Sequence, residues 1–130
     1  MKFVYTFGQP RVGDSAFSNN YASHFPETYR VINYADIVPH LPPSSFGFVH
    51  GGHEVWYNPR GMQKYQICNA ESSACANSLN VLTYNTDDHS LSNYLKMKVN
   101  FEEIAINEDY SENRFMDSPE AIEELNKIRE

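Results

Sequence analysis

The sequence predicts an α/β fold in which a strand–helix–strand unit is followed by a β-hairpin, a further helix and an acidic helical tail. An apolar run at Phe3–Phe7 and a β-branched and aromatic run at Tyr29–Tyr34 flank a segment with helical spacing. That pattern is typical of parallel strands joined by a crossover helix. Farther along, His53–Tyr57 and Lys64–Cys68 alternate across a short turn, which predicts a hairpin. At 130 residues the chain is long enough for one modest core.

The strand–helix–strand unit has the clearest local signals. Phe3–Phe7 is apolar and aromatic almost throughout, as expected for a strand buried on both faces of a parallel sheet. Asp14 is a suitable N-cap for the helix that follows, and Pro26 ends that helix because proline cannot continue it. The side chains that return at helical spacing between them are Phe17, Tyr21 and either His24 or Phe25.

Two helices are predicted after the hairpin. The first covers Ser90–Val99 and should bury one apolar face. The members of that face are Leu91, Tyr94, Leu95 and Met97. The second begins at Ser118-Pro119-Glu120, an N-cap followed by proline and an acidic first turn. Its apolar side chains are Ala121, Ile122, Leu125 and Ile128. Residues 102–117 have little to bury and are predicted to be a linker. We therefore divide the chain into a domain at 1–101 and an acidic linker with a C-terminal amphipathic helix at 102–130.

Composition and charge exclude some classes of function. The net charge is −7, and no basic surface for nucleic acid is visible, so we expect no nucleic-acid partner. No apolar run approaches the roughly 20 residues that span a membrane. The apolar run after Met1 is too short for a secretory signal peptide. The sequence therefore shows no address for a compartment.

Asp36 and His89 are the residues best placed for catalysis. Asp36 comes just after the second predicted strand, and catalytic groups of open α/β sheets collect outside the carboxyl ends of the strands. His89 opens a helix after the last predicted strand, and an imidazole titrates near working pH, as a general base must. An acid followed later by a histidine is also the order of a serine-hydrolase triad.

Two other motifs have simpler structural explanations. Gly13-Asp14-Ser15 resembles the start of the GDSL esterases, but Ser15 follows a Pro-Arg-Val-Gly loop rather than a strand. We expect Ser15 to be a local cap at the helix start. The pair His50 and His53 lacks the spacing of a helical His-Glu-x-x-His site, and two glycines between them oppose a helix. We expect no metal.

Cys68 and Cys75 lie seven positions apart in a polar, turn-like stretch. They are either two buried thiols or a short-loop disulfide, and the setting favours the disulfide. Such a bond would indicate a secretory or other oxidising compartment. A zinc site is disfavoured because a second pair of ligands at suitable spacing is missing.

Five blocks of this chain, in order and register, resemble the class 3 (fungal-type) lipase family. The blocks are Tyr5–Phe17, Arg30–Pro43, Gly47–His50 with Glu54–Tyr57, the pair Cys68 and Cys75, and Asp88–Ser90. The resemblance implies the C-terminal portion of an α/β-hydrolase sheet. It also implies that Asp36 is the triad acid and His89 the base, without metal or organic cofactor.

The resemblance further implies a substrate class and a surface. Members of the family hydrolyse acylglycerols and related carboxylic esters at lipid interfaces. Phe46 and Phe48, among prolines and glycines, are the candidate rim for an acyl chain. The likeness, together with the predicted disulfide, favours a secreted or endomembrane location.

The chain departs from the family in one respect that bears directly on activity. Gly-x-Ser-x-Gly, which carries the nucleophile just upstream of these blocks in the family, does not occur in the 130 residues. We therefore expect the chain to be inactive by itself unless a serine-bearing segment completes it. The alternative is a truncated, non-catalytic paralogue that binds lipid or protein. A missing neighbour would also leave one side of Phe3–Phe7 open, which predicts self-association.

Overall fold

The computed structural model describes residues 3–58, 64–97, 99 and 101–106, which form a four-stranded mixed sheet flanked by helices. The strands are β1 (Val4–Phe7), β2 (Thr28–Asn33), β3 (His53–Tyr57) and β4 (Tyr65–Cys68). The helices are α1 (Ser15–His24), α2 (Leu91–Lys96) and α3 (Phe101–Ile106). Short 3-10 turns fill much of the connections between β2 and β3 and between β4 and α2.

The strands follow the chain in space, in the order β1-β2-β3-β4. β1 is parallel to β2 and β2 is parallel to β3, while β4 pairs with β3 in the antiparallel sense. The predicted strand–helix–strand unit and hairpin are therefore confirmed. The parallel strands end at the same edge of the sheet, which is where Asp36 follows β2.

Apolar side chains cover both faces of the central strands. One face packs Tyr29, Val31 and Val55 against Ile104 of α3. The opposite face packs Ile32 and Trp56 with neighbours that include Cys68, Cys75 and Ala76. Because β2 is buried along its whole length, its carboxyl end is a fixed point from which the following loop starts.

Helix α1 begins as predicted but packs differently. The Asp14 carboxylate accepts a hydrogen bond of 2.9 Å from the N–H of Phe17, so Asp14 is the cap. The expectation that Ser15 caps the helix is wrong, because Ser15 is its first helical residue. Phe17 and Phe25 remain 48% and 43% exposed. The helix turns Ser18, and not these two rings, toward the interior of the protein.

The prediction that Phe3–Phe7 is buried on both faces is also wrong. β1 is the edge strand of the described sheet, and Phe3 and Phe7 are each 44% exposed. Phe3 and Tyr5 instead form a stacked row with Tyr29 of β2. No strand lies beside the outer edge of β1 within the described residues, and self-association through that edge stays a prediction.

Helix α2 buries one residue of the four expected to face the core. Tyr94 is buried, whereas Leu91 and Leu95 are 72% and 75% exposed. Met97, which follows the helix as its C-cap, is partly buried and packs against the core as expected. Leu95 directly follows Tyr94 and therefore turns away from the core, whereas Leu91, three residues before Tyr94, lies on nearly the same face but is left uncovered at the first residue of the helix. α3 covers the start of the predicted 102–117 linker, and its Ile104 belongs to the core. The tail helix predicted from Ser118 lies outside the described residues, and the division at residue 101 stays a prediction.

The cysteines form the predicted disulfide, with an S–S distance of 2.03 Å. Both sulfurs are buried against Ile32 and Trp56. The bond ties the end of β4 to the turn that begins at Ala76, and so fixes the start of the connection that leads to His89.

Breaking this bond should lower the free energy of unfolding by about 2–3 kcal/mol, because a closed loop no longer restricts the unfolded chain. Urea unfolding, followed by the fluorescence of Trp56, would compare the oxidised protein with the Cys68→Ala/Cys75→Ala double variant. The double variant in reductant is the control for unspecific effects. Equal stability of the oxidised protein and the double variant would contradict the expectation.

Glu54 and His50 are buried ionisable side chains near Arg30 whose pKa values are shifted in opposite directions. Glu54 of β3 pairs in register with Arg30 of β2, and both are buried. Burial raises the pKa of Glu54 to about 7, although the charge of Arg30 acts in the opposite direction. Burial and the charge of Arg30 lower the pKa of His50 to about 3. The carboxyl group of Glu54 is therefore uncharged below about pH 7 and the imidazole of His50 is uncharged above about pH 3.

These shifts should act on stability in opposite directions. An ordinary glutamate loses its proton near 4.5 whereas Glu54 keeps it to about 7, so Glu54 makes stability fall as pH rises through that window. His50 stays neutral down to about 3 while an ordinary histidine is protonated below 6.5, so it makes stability rise with pH between those values. In the overlap, from 4.5 to 6.5, the two slopes oppose each other.

Glu54→Gln should therefore unmask the slope of His50. We expect the stability of the variant to rise with pH between 4.5 and 6.5 more steeply than that of the parent, and its advantage over the parent to be largest above pH 7. The measurement is the free energy of unfolding at a series of pH values. Glu102→Gln, at an exposed position of α3, is the matched control. Parallel profiles for Glu54→Gln and the parent would show that Glu54 ionises alike in the folded and unfolded chains.

Candidate active site

The loop after β2 places Asp36 immediately beyond the sheet. Tyr34 has a φ of +31°, which is costly for a residue with a side chain. Its carbonyl accepts a hydrogen bond of 2.8 Å from the indole N–H of Trp56, which helps to hold the turn. The N–H of Asp36 donates to the carbonyl of Asn33 at 2.9 Å. The chain therefore reverses within three residues and turns Asp36 back toward the sheet edge.

The structure brings Asp36 and His89 together. Asp36 is fully buried, and its Oδ2 lies 2.9 Å from Nδ1 of His89. The Tyr94 hydroxyl donates to the same oxygen at 2.5 Å, and the N–H of Val38 donates to Oδ1 at 2.9 Å. The carboxylate thus receives donors from its own loop and from the segment that carries His89, which fixes the direction in which it points.

A second buried carboxylate holds the His89 segment against the Asp36 loop. Asp88 Oδ2 accepts hydrogen bonds from the N–H of Ala35 at 3.2 Å and from the Asn85 side-chain amide at 3.0 Å. Asn85 also exchanges backbone hydrogen bonds with the loop, accepting from Ile37 at 3.1 Å and donating to Ala35 at 2.9 Å. The position of His89 is therefore set by residues on both sides of the contact.

The imidazole of His89 is oriented by one nitrogen and open at the other. Since a carboxylate accepts hydrogen bonds, the contact with Asp36 places the proton on Nδ1. Nε2 then carries a lone pair, and no group among the described residues bonds to it. The side chain is 42% exposed. A neutral imidazole held in this way can accept a proton from a hydroxyl at Nε2.

Gly8, directly after β1, packs against the side chains of Asp36 and His89. Its φ is +63°, and a Cβ placed on it would lie 2.8 Å from both Asp36 Oδ2 and His89 Nδ1. Its N–H donates to the carbonyl of Val31 at 2.9 Å, which extends the pairing of β1 with β2. Only glycine leaves room here for the pair.

A sheet with parallel strands that carries a carboxylate–imidazole pair beyond their carboxyl ends is the arrangement of an α/β hydrolase. Residues 1–46 match the sequence model of the family described as Lipase (class 3). A lipase from Rhizomucor miehei is 48% identical over 79 residues, which are 59% of this chain and 22% of that protein. These matches confirm the predicted resemblance to the class 3, fungal-type lipase family.

Solved structures agree with this assignment. The triacylglyceride lipase of Rhizomucor miehei has a TM-score of 0.58 and 46% identity, covering 67% of this chain and 33% of that one. Lipase II from Rhizopus niveus has a TM-score of 0.59 and 39% identity over the same shares. The predicted portion of an α/β-hydrolase sheet is therefore confirmed.

The chain spans about a fifth of the length of the curated relatives that it matches. A Fusarium solani protein named secreted mono- and diacylglycerol lipase 1 is 36% identical over 80 residues, or 61% of this chain and 23% of that protein. A secreted relative and a disulfide both fit an extracellular setting. Among the described residues, the structure contains no helix that is long and apolar enough to cross a membrane.

The remaining candidate residues lie apart from the pair. Phe46 is 75% exposed and Phe48 is partly buried, on the loop between β2 and β3, and their role as an acyl-chain rim stays a prediction. Ser15 makes no hydrogen bond to His89. His53 begins the strand β3, as the sequence predicted, and is not part of a helix. Within the described part of the chain, no group of His, Cys, Asp or Glu side chains is arranged to hold a metal ion.

Sequence reasoning missed Asn85 and the hydrogen bond from Tyr94. Tyr94 was expected in the core as an apolar side chain, yet its hydroxyl donates to Asp36 and accepts from the N–H of Asn33 at 3.1 Å. Burial raises the pKa of the Tyr94 hydroxyl, with Asp36 adding to the effect, so it remains a donor. A tyrosine within an otherwise apolar helical pattern is the one signal that could have suggested a polar partner.

Gly8→Ala should break the contact between Asp36 and His89. The added methyl group would overlap both side chains, and the positive φ would add strain. Gly47→Ala is a matched control, because Gly47 also has a positive φ, +88°, but nothing lies within 4 Å of the added Cβ. Chemical denaturation should show a larger loss of stability for Gly8→Ala, and NMR should show a displaced His89 ring. Equal losses in the two variants would mean that backbone strain alone decides the effect.

Proposed function

We propose that this chain supplies the acid and base of a serine-type carboxylic-ester hydrolase that acts on acylglycerols or related lipid esters. The observation that carries this proposal is the 2.9 Å contact between the buried Asp36 carboxylate and the half-exposed His89 imidazole. The contact occurs in a chain that resembles the class 3 lipase family and whose relatives are named lipases.

The proposed chemistry uses each side chain in a defined role. Nε2 of His89 takes the proton of a serine hydroxyl as the serine oxygen attacks the ester carbonyl. The imidazolium then gives that proton to the departing alkoxide oxygen, which leaves as an alcohol. Asp36 accepts the Nδ1 hydrogen bond throughout, which keeps the tautomer fixed and stabilises the imidazolium. Water repeats the sequence to release the acid.

The serine must come from outside these 130 residues, because Gly-x-Ser-x-Gly does not occur among them. The edge at β1 is a suitable place for the segment that carries it. Gly8 ends β1 directly against Asp36 and His89, so a parallel strand added beside β1 would finish close to the imidazole. The chain by itself should then hydrolyse esters no faster than buffer.

Highly exposed apolar side chains on two loops support a lipid substrate. Phe46, Val81 and Leu82 are 75%, 70% and 89% exposed, an arrangement that favours contact with hydrocarbon rather than water. The disulfide and the secreted relatives support release from the cell as the setting of this activity.

A chimeric lipase tests the proposal. The segment of the Rhizomucor miehei relative that corresponds to residues 3–97 of this chain, which include Asp36 and His89, would be replaced by those residues. The relative then provides the serine. We expect the chimera to hydrolyse a nitrophenyl ester, and His89→Ala or Asp36→Asn to lower kcat by about a thousandfold or more. His24→Ala is the matched control, since His24 is an exposed histidine at the end of α1.

Three results would contradict the proposal. A folded chimera without activity would indicate that these residues no longer support catalysis, and would favour the non-catalytic lipid- or protein-binding alternative. Turnover by the 130-residue chain alone that is lost in Ser15→Ala would indicate a nucleophile within this chain. Activity that survives His89→Ala would exclude His89 as the base.

A further inference from the structure

An apolar groove of about 300 Å³ lies on the side of the sheet that carries α3. It runs between α2, the end of β1 and the start of α3. Its walls include Phe7, Leu91, Leu95, Met97, Val99 and Phe101. All six are hydrocarbon or thioether side chains, so the groove suits an apolar partner.

The walls of the groove are anchored in the fold. Met97 and Val99 pack against the core. The ring of Phe7 meets that of Phe101 edge-on, with 6.5 Å between the ring centroids. The Tyr5 hydroxyl donates to the carbonyl of Phe101 at 3.2 Å, which ties the start of α3 to β1. The groove is therefore built on the core, while its α2 wall is largely exposed.

The sequence of residues 118–130, which lie outside the described residues, has the pattern that suits such a groove. It predicts a helix with Ile122, Leu125 and Ile128 at intervals of three, so these side chains would share one face. A helix of thirteen residues is marginal in water, so it needs an apolar surface to pack against. An amphipathic helix laid into an apolar groove is a recurrent mode of recognition.

Covalent connection favours this segment as the occupant. α3 ends at Ile106, and its first residue, Phe101, is itself a wall of the groove. The eleven residues at 107–117 can span up to about 36 Å, which exceeds the roughly 20 Å length of the predicted helix. Such a linkage gives an effective concentration of about millimolar order. The net charge of −7 disfavours a second copy of the chain as the occupant.

We propose that residues 118–130 fold back as an amphipathic helix and cover this groove, with Ile122, Leu125 and Ile128 turned toward it. The contact shelters the apolar end of β1 together with α2, and so opposes self-association at that edge. It does not depend on the hydrolysis proposed above.

Paramagnetic broadening of NMR signals in the 130-residue chain tests the proposal. A nitroxide is attached to Asn126→Cys, which supplies the single free thiol because both native cysteines are in the disulfide. We expect the methyl signals of Leu91 and Val99 to lose most of their intensity relative to a diamagnetic label at the same position. The methyl signals of Val12 and Val49, which line a separate cavity beside α1, should keep theirs.

Two exposed leucines provide a matched pair of variants. Leu95 lines the groove, whereas Leu82 lies on the connection between β4 and α2, and both are highly exposed. Leu95→Gln should lower the ratio of docked to undocked chains about tenfold, since a leucine is no longer covered, and the Val99 signal should recover. Leu82→Gln should leave the broadening unchanged. In the segment itself, Leu125→Gln and Lys127→Gln form the corresponding pair.

Four outcomes would overturn the proposal. Unbroadened Leu91 and Val99 signals would show that the segment stays away from the groove. Equal broadening of Val12 and Val49 would mean that it has no preferred position. Comparable broadening between nitroxide-labelled chains and separate isotope-labelled chains in a mixture would assign the groove to a second copy. Equal effects of the two leucine variants would place the contact elsewhere. None of these readouts uses turnover, so they are independent of the chimera experiment.

Discussion

The buried carboxylate of Asp36 is the constraint on which this part of the molecule is organised. A carboxylate that is removed from water must recover its hydrogen bonds from the protein, or the cost is several kcal/mol. Here the N–H of Val38 comes from the same loop, whereas His89 and Tyr94 come from 53 and 58 positions later in the chain. The hydrogen bonds that the buried Asp36 carboxylate needs therefore connect the end of β2 to the segment that contains His89 and α2.

The loop that carries Asp36 and the segment that carries His89 each donate hydrogen bonds to the other, and this junction is therefore held from both sides. While Asp36 receives donors from the later segment, Asp88 of that segment receives the N–H of Ala35 from the earlier one. Asn85 adds a pair of backbone hydrogen bonds between the two. Hydrogen bonds to charged groups are stronger than those between neutral groups, and each of these is partly or fully shielded from water. The geometry of the imidazole is consequently a property of the whole junction rather than of one contact.

Sequence reasoning succeeded where the signal was local or where the order of residues was specific. β2, β3 and the Asp14 cap each follow from neighbouring residues, and the pairing of Asp36 with His89 followed from the resemblance to class 3 lipases. It failed where burial depends on distant parts of the chain. Phe7 looks like a core residue until the sheet order places it on an edge strand.

Dependence on distant parts of the chain also explains why the burial of α2 was predicted incorrectly and why some site residues were missed. Leu95 looks apolar and buried in a helical pattern, but whether a face is covered depends on which element packs against it. Tyr94 looked like part of that face, and its hydroxyl bond to Asp36 spans 58 positions. No window of sequence around Asn85 or Asp88 shows that their partners are Ala35 and Ile37, because such pairing exists only once β2 and its loop are in place.

The connection from β4 to His89 has a consequence for how such a protein can diversify. The disulfide at Cys75 fixes its beginning, and the hydrogen bonds of Asn85 and Asp88 fix its end. The highly exposed Val81 and Leu82 lie between these two fixed points. Substitutions there can alter what the surface attracts while leaving the imidazole where it is, because that stretch does not position it. Sequence change can thus accumulate on that surface while the contact between the carboxylate and the imidazole is kept.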